Sequence, residues 1–161
     1  MILEATFAEV KSLWSDPEMW GDYDVKLVSS MKFYDGKEYF GGNDMNVYDL
    51  SLSKPKFYVY YHKNEPAGCI SYHLIDNTIR SRGIFVYKKF RGQKISEKLL
   101  RHVIDECRQT RPESFMWVMA GPNSMRVHSK CGFEQVTEQF NDVLPDKNKT
   151  THNNCYMRLS L

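Results

Sequence analysis

Between Phe85 and Leu100 the chain reads FVYKKFRGQKISEKLL: the end of an apolar strand, a short basic turn with one glycine, and then at once an amphipathic helix. This junction constrains the fold more than any other stretch, because both elements have an apolar side that must be covered by the rest of the chain. Leu99, Leu100, Val103, Ile104 and Cys107 fall on one helical face, with Glu97, Lys98, Arg101, Asp105 and Arg108 around the other. The turn also has chemical consequences. The first N–H groups of a helix lack intrahelical partners and carry the positive end of its dipole, so an anion placed there meets both donors and a favourable field. Arg91 and Lys94 add positive charge at the same point. A pyrophosphate-bearing cofactor is the expected ligand of this turn.

The flanking segments predict the architecture. Thr6 and Glu9 form a capping-box pair that starts a helix over Phe7 to Trp14, and Asp16-Pro17 opens a second, less regular helix over Glu18 to Ser30. Met31 to Leu52 reads as a loop with one irregular strand. Phe57 to His62, then Cys69 to Ile75 beyond the turn Lys63-Asn64-Glu65-Pro66, describe an antiparallel hairpin, and Thr78 to Tyr87 adds a third strand. Phe115 to Ala120 is continuously apolar and predicts a buried strand. A short helix ends at Lys130 with Gly132 as its stop, Phe133 begins another strand, Asn141 to Asn154 reads as loop, and Cys155 to Leu159 is the last strand. An antiparallel meander followed by strand–helix alternation predicts a mixed α+β fold with helices flanking the sheet.

Bulk properties narrow the class. The 161 residues suit a single domain spanning the whole chain, 1–161. A formal net charge of +2 does not imply nucleic-acid binding. Cys69, Cys107, Cys131 and Cys155 are widely spaced with no CxxC pair, so neither disulfides nor a zinc site is expected. No apolar run reaches membrane-spanning length and the N-terminus has the wrong charge order for a signal peptide. A soluble, cytoplasmic protein without a bound metal is expected.

Two separated segments together resemble the GNAT superfamily of acyl-CoA-dependent N-acyltransferases. Members carry a strand followed by R/Q-x-x-G-x-G/A and a helix; here Ile84-Phe85-Val86 precedes Arg91-Gly92-Gln93-Lys94-Ile95-Ser96. Downstream, Gly121-Pro122-Asn123-Ser124-Met125-Arg126-Val127-His128-Ser129-Lys130-Cys131-Gly132-Phe133 is similar to the family's N-P-x-S-x-R-V-x-x-K-x-G-F pattern. The resemblance is good over Phe57 to Phe133 and holds only in outline elsewhere. It implies a central, mostly antiparallel twisted sheet flanked by helices, with acetyl-CoA as co-substrate and a small-molecule or peptide amine as acceptor. It assigns cofactor binding to Phe85, Val86, Arg91, Gly92, Gln93, Lys94, Ile95, Ser96, Asn123 and Ser124. A backbone N–H near Val86 would polarise the thioester carbonyl, and the helix start would hold the pyrophosphate.

Departures from the pattern shape the rest of the expectation. Lys94 and Ser96 stand where the phosphate loop has small residues. The family's glutamate base falls nearest Arg80 and Arg82, neither of which accepts a proton. The proton-donor position on the short helix, often tyrosine in the family, corresponds to His128, the one catalytic residue expected here. His73, Asp76 and Glu138 lie near enough to be considered as base, without a spacing rule that selects one. The aromatic first third, including Trp14, Trp20, Tyr23, Phe33, Tyr34, Tyr39 and Phe40, would supply both core and a wall of the acceptor groove. Asp22, Asp24, Asp35 and Asp44 favour a cationic acceptor unless they form a solvated face. The competing readings are a catalytically silent acyl-CoA-binding domain and a nucleobase-modifying enzyme, the latter motivated by Arg80, Arg82, Lys88, Lys89, Arg91 and Lys94. An antiparallel sheet edge permits a homodimer, though no residue compels one.

Overall fold

A computed structural model describes residues 1–16, 30, 33–35, 37–40, 43–47, 50–138, 140–143 and 151–161. Strand β1 (Ile2–Ala5) leads into helix α1 (Phe7–Trp14). The capping box forms as expected: Thr6 Oγ1 accepts from Glu9 N at 3.3 Å, and Glu9 Oε2 accepts from Thr6 N at 2.7 Å. The second helix expected over Glu18 to Ser30 lies almost wholly outside the described residues.

Next come a two-stranded ribbon, β2 (Lys37–Phe40) with β3 (Asn43–Val47), and a single helical turn, α2 (Leu50–Ser53). The meander follows as β4 (Lys56–His62), β5 (Glu65–Ile75) and β6 (Thr78–Val86). The β4–β5 turn needs only Lys63 and Asn64, both at positive φ (47° and 68°), which matches the twist of the strands it joins. Beyond β6 lie a 3₁₀ turn (Lys88–Phe90), helix α3 (Ile95–Thr110), strand β7 (Phe115–Ala120), helix α4 (Pro122–Lys130) and strands β8 (Glu134–Gln135), β9 (Phe140–Val143) and β10 (Thr151–Ser160). Two expectations are corrected here. Thr151 to Asn154 pairs with Phe140 to Val143 instead of forming loop, and the strand starting near Phe133 shrinks to two residues. Asn, Asp and Thr favour turns locally, so these pairings could be read only from the partner strand.

The large sheet has the order β1-β4-β5-β6-β7-β10-β8, with β9 paired further along β10. Its pairings are antiparallel except β6 with β7, which run parallel. The mixed α+β fold with a mostly antiparallel sheet is thus as expected. Outside the bulges, residues alternate between faces. Tyr58, Ile70 and Tyr72 face α3, which buries Leu99, Leu100, Val103, Ile104 and Cys107 against them. Phe57, Val59 and Cys69 face α1, where Trp14 stacks on Tyr34 and Phe57 packs edge-on to both. Trp14, Phe33 and Tyr34 are therefore core residues on the first-helix side. Trp20 and Tyr23 lie outside the described residues.

A polar cluster on the α3 face is centred on Glu106. Glu106 accepts from Lys56 Nζ at 2.7 Å and from the Tyr58 hydroxyl. Burial raises the Glu106 carboxyl, but the Lys56 and Tyr58 hydrogen bonds outweigh it and leave the group below its ordinary value. Tyr58 and Tyr72 are both pushed up, chiefly by burial.

Candidate active site

The site is a fork in the sheet. Parallel pairing between β6 and β7 is confined to Ile79 with Met116 and Arg80 with Trp117; beyond these residues the two strands part. The β6 edge from Ser81 to Val86 then has no pairing with β7, so an extended ligand could lie against it. A bulge shapes that edge. Cys69 pairs with Phe85 and Ser71 with Arg82, so Gly83 and Ile84 together oppose Ile70. Gly83 sits at φ +68°, and its carbonyl accepts from Trp14 Nε1 at 3.1 Å.

At the top of the fork β6 runs into the basic turn. Arg91 is extended, Gly92 is left-handed at φ +83°, and Lys94, the residue capping α3, is left-handed at φ +59°. Lys94 thus takes a backbone conformation that glycine adopts without strain, at a cost of about 1 kcal/mol for carrying a side chain there. No side chain caps α3, so the N–H groups of Ile95, Ser96 and Glu97 open towards the turn. Alternating left-handed and ordinary residues ahead of an uncapped helix aim several N–H groups at one point, a concavity suited to anions. Arg91, Gly92, Gln93 and Lys94 are exposed, and a side chain built on Gly92 would meet nothing within 4 Å. Arg91 is tethered to the strand end through Nε to the Val86 carbonyl at 3.1 Å, with its guanidinium 5.7 Å from the Phe85 ring. The turn thereby has the shape and charge to hold a diphosphate, while the β6 edge below it can take an arm bearing amides.

Helix α4 forms the other side of the fork. Pro122 occupies its first turn, Asn123 is exposed, and Ser124 is half-buried. His128, the residue expected as proton donor, lies on the inner side of α4. Its side chain is fully buried; Nδ1 lies 2.7 Å from the Ser124 carbonyl, which can only accept, so Nδ1 carries the proton. Nε2 faces Ser81 Oγ at 3.5 Å, and the ring packs edge-on against Phe133 at 4.8 Å. Burial pushes the imidazole down to about 4, against a smaller upward pull from the Ser124 carbonyl. At neutral pH it holds a single proton, directed into the backbone of α4, and Nε2 has none to donate. His128 thus lies between the Ser124 carbonyl of α4 and the Ser81 hydroxyl of β6.

The candidate bases also separate. His73 is buried and pushed down to about 2, by burial first and then by Arg82 and Arg80, so it cannot retain a proton taken from an amine. Asp76 and Glu138 are exposed. Asp35 is committed to Lys11 Nζ at 2.9 Å, whereas Asp22 and Asp24 lie outside the described residues and nothing is described of the Asp44 side chain. The six cations of the nucleobase reading do not form one surface: Arg80 and Arg82 are half-buried within the sheet, Lys89 pairs with Glu65, and Arg91 lies along the turn. Among the described residues no helix is long and apolar enough to cross a membrane, and no group of three His, Cys, Asp or Glu could hold a metal.

The sequence reading missed Gly83, although a lone glycine inside an apolar strand is itself a signal for a bulge or a close approach.

Comparison with known proteins identifies the fold and the family. The family model described as an acetyltransferase (GNAT) domain matches residues 36–143. The fold is similar to a ribosomal-protein-alanine N-acetyltransferase from Brucella melitensis, with TM-score 0.64 and 18% identity over 100% of this chain and 99% of that one. It is also similar to the ribosomal-protein-S18-alanine N-acetyltransferase from Escherichia coli, with TM-score 0.69 and 13% identity over 99% and 92% of the two chains. A third similar structure is a GNAT family acetyltransferase from Elizabethkingia anophelis with acetyl-CoA bound, with TM-score 0.62 and 19% identity over 100% and 97%. A comparison with curated protein sequences found no significant match. The chain belongs to the GNAT acetyltransferase family.

Proposed function

We propose that the chain, as one domain over residues 1–161, is an acyl-CoA-dependent N-acetyltransferase that moves an acetyl group from acetyl-CoA to an amine. One observation supports this most directly. The left-handed pair Gly92 and Lys94 turns the chain into an uncapped helix start just beyond the end of β6, whose upper part has already left its parallel neighbour. Acetyl-CoA supplies the activated acyl group. Main-chain N–H groups of Gly92 to Ser96 bind its diphosphate, with Arg91 and Lys94 adding charge. Phe85 and Val86 present the strand edge along which the pantetheine arm lies, and Asn123 and Ser124 border it from α4.

The chain's own contribution to the reaction is mainly placement and polarisation. A β6 N–H beside Val86 stabilises charge developing on the carbonyl oxygen. The amine attacks as its neutral form; the C–N bond forms as the C–S bond breaks, and the proton released by nitrogen neutralises the departing thiolate through water. His128 keeps α4 at its distance from β6 through Ser81 and gives up no proton.

The experiment is a titration of the purified protein with acetyl-CoA, followed by thiol release against a panel of amines. A ligand that binds only the folded state raises the melting temperature. An increase with acetyl-CoA, lost in Gly92→Asp, together with thiol release for at least one amine, is the expected result. Binding without turnover across the panel would identify a silent acyl-CoA-binding domain, a reading favoured by the inward-facing His128 and by Arg80 and Arg82 where a glutamate base is usual.

A further inference from the structure

The direction in which β6 presents its main chain to the fork depends on its bulge. Tyr87 N donates to the Ala67 carbonyl at 2.9 Å, so the Tyr87 N–H is spent on β5. Successive residues of an antiparallel strand direct their main-chain groups to opposite sides, and Val86, opposite Gly68, therefore turns its N–H away from β5 and into the fork. Its carbonyl, which Arg91 Nε reaches from the turn at 3.1 Å, points the same way. A single residue decides this. Between the pairs Ser71 with Arg82 and Cys69 with Phe85, β6 carries one residue more than β5. Without it Val86 would stand opposite Ala67, and its N–H would be consumed in the β5 ladder.

The bulge is held from the α1 side. The consecutive carbonyls of Arg82 and Gly83 both accept from side chains: Ser71 Oγ donates to the first at 2.7 Å, and Trp14 Nε1 to the second at 3.1 Å. Because the Ser71 proton goes to that carbonyl, the Tyr34 hydroxyl 2.7 Å away is the donor to Ser71. The Tyr34 ring stacks on the Trp14 indole at 5.9 Å, and Phe57 packs edge-on to both, so the buried indole has a fixed direction in which to donate. Trp14 is the last residue of α1, and two residues further on Asp16 Oδ2 accepts from the Tyr87 hydroxyl at 3.0 Å. The end of α1 thus grips β6 on either side of Val86.

We infer that Trp14 is a positioning residue for acetyl transfer: it holds the bulge at Gly83 and thereby keeps Val86 in the register that aims its N–H at the thioester carbonyl. The inference rests on the acetyl-transfer reading and names a residue of α1, away from the diphosphate turn, on which the reaction depends. A donor fixed before the substrate arrives stabilises the developing oxyanion without reorganising at the moment of reaction. Once the indole donor is lost, the Gly83 carbonyl no longer has a partner that holds it out of the ladder, and the register that frees Val86 weakens.

Amide hydrogen exchange in the ligand-free protein reads the register directly. The Tyr87 amide should be protected at least about tenfold more than that of Val86, and Trp14→Phe, which keeps a ring and loses the donor, should shrink that ratio. Ser71→Ala, which removes the donor to the neighbouring carbonyl, should shrink it less. Val10→Ala is the control, since it opens a cavity on the buried side of the same helix without touching β6, and should lower stability with the ratio unchanged. In turnover with an amine that releases thiol, Trp14→Phe should lower kcat by about tenfold while KM for acetyl-CoA moves less than about threefold, because the N–H acts on charge that develops in the transition state. An unchanged protection ratio in Trp14→Phe overturns the inference, as does an equal loss of kcat in Val10→Ala. Should Trp14→Phe not fold, Ser71→Ala decides, and an unchanged ratio there overturns the inference too. A wild type that neither binds acetyl-CoA nor releases thiol would sink the acetyl-transfer reading and with it the role in that reaction, whereas the protection ratios alone decide whether Trp14 sets the register.

Discussion

Trp14 Nε1 donates to the Gly83 carbonyl at 3.1 Å, and the same indole fills the space that a side chain at position 83 would need. A Cβ there would overlap Cζ2 and lie 3.0 Å from Cε2. Helix α1 and the bulge in β6 are therefore mutually dependent: the ring holds the bulge and the missing side chain admits the ring.

Gly83→Ala must both strain a backbone at φ +68° and displace a fully buried tryptophan. Left-handed strain and overpacking together should destabilise the protein by about 2–4 kcal/mol, measured by urea unfolding. Trp14→Phe keeps much of the packing and loses the hydrogen bond, and should cost less.

Stability should fall with acid in a window set by two buried histidines. His128 is held down to about 4 and His73 to about 2, against ordinary values near 6.5, so the unfolded chain binds more protons than the folded one as pH falls below 6.5. Stability is then complete above that value and declines on acidification. Each histidine contributes a loss of about 2 kcal/mol between about pH 7.5 and pH 5. Denaturant titrations at both pH values should show this loss, and His128→Gln should remove about half of it at the expense of lower stability at neutral pH.

The phosphate turn can be dissected by charge and by shape. Gly92→Asp has room for its side chain but places a carboxylate among the main-chain donors and should abolish acetyl-CoA binding. Lys94→Gly relieves left-handed strain and removes one cation, so the melting temperature should hold or rise while acetyl-CoA affinity falls by about three- to tenfold. A melting curve with and without acetyl-CoA reports both.

Glu106 joins β4 to α3 away from the fork through Lys56 and Tyr58. Glu106→Gln keeps the shape and loses the charge, and should cost about 1–2 kcal/mol in urea unfolding with no change in acetyl-CoA affinity. A large loss of affinity would mean that this cluster is coupled to the site.

Much of the fold was legible because its signals are local. The Thr6–Glu9 box, the Lys63-Asn64 turn, the apolar stripe of α3 and the buried run Phe115 to Ala120 each record their own conformation in adjacent residues. The Asn141 to Asn154 tail was misread because its strand pairing depends on a partner rather than on its own composition. The amphipathic helix and basic turn after β6 were legible from their own residues, but the left-handed backbone of Lys94 was not, because a lysine gives no local signal for it.

What the amino-acid order alone determined was most of the elements and the basic turn ahead of α3, since periodicity, caps and turn chemistry act over a few residues. The tertiary structure decided the direction in which functional groups face. It turned His128 inward to a backbone carbonyl and opened β6 from β7 at Arg80. Burial and neighbouring charge set protonation and accessibility, and both arise only when distant segments pack together.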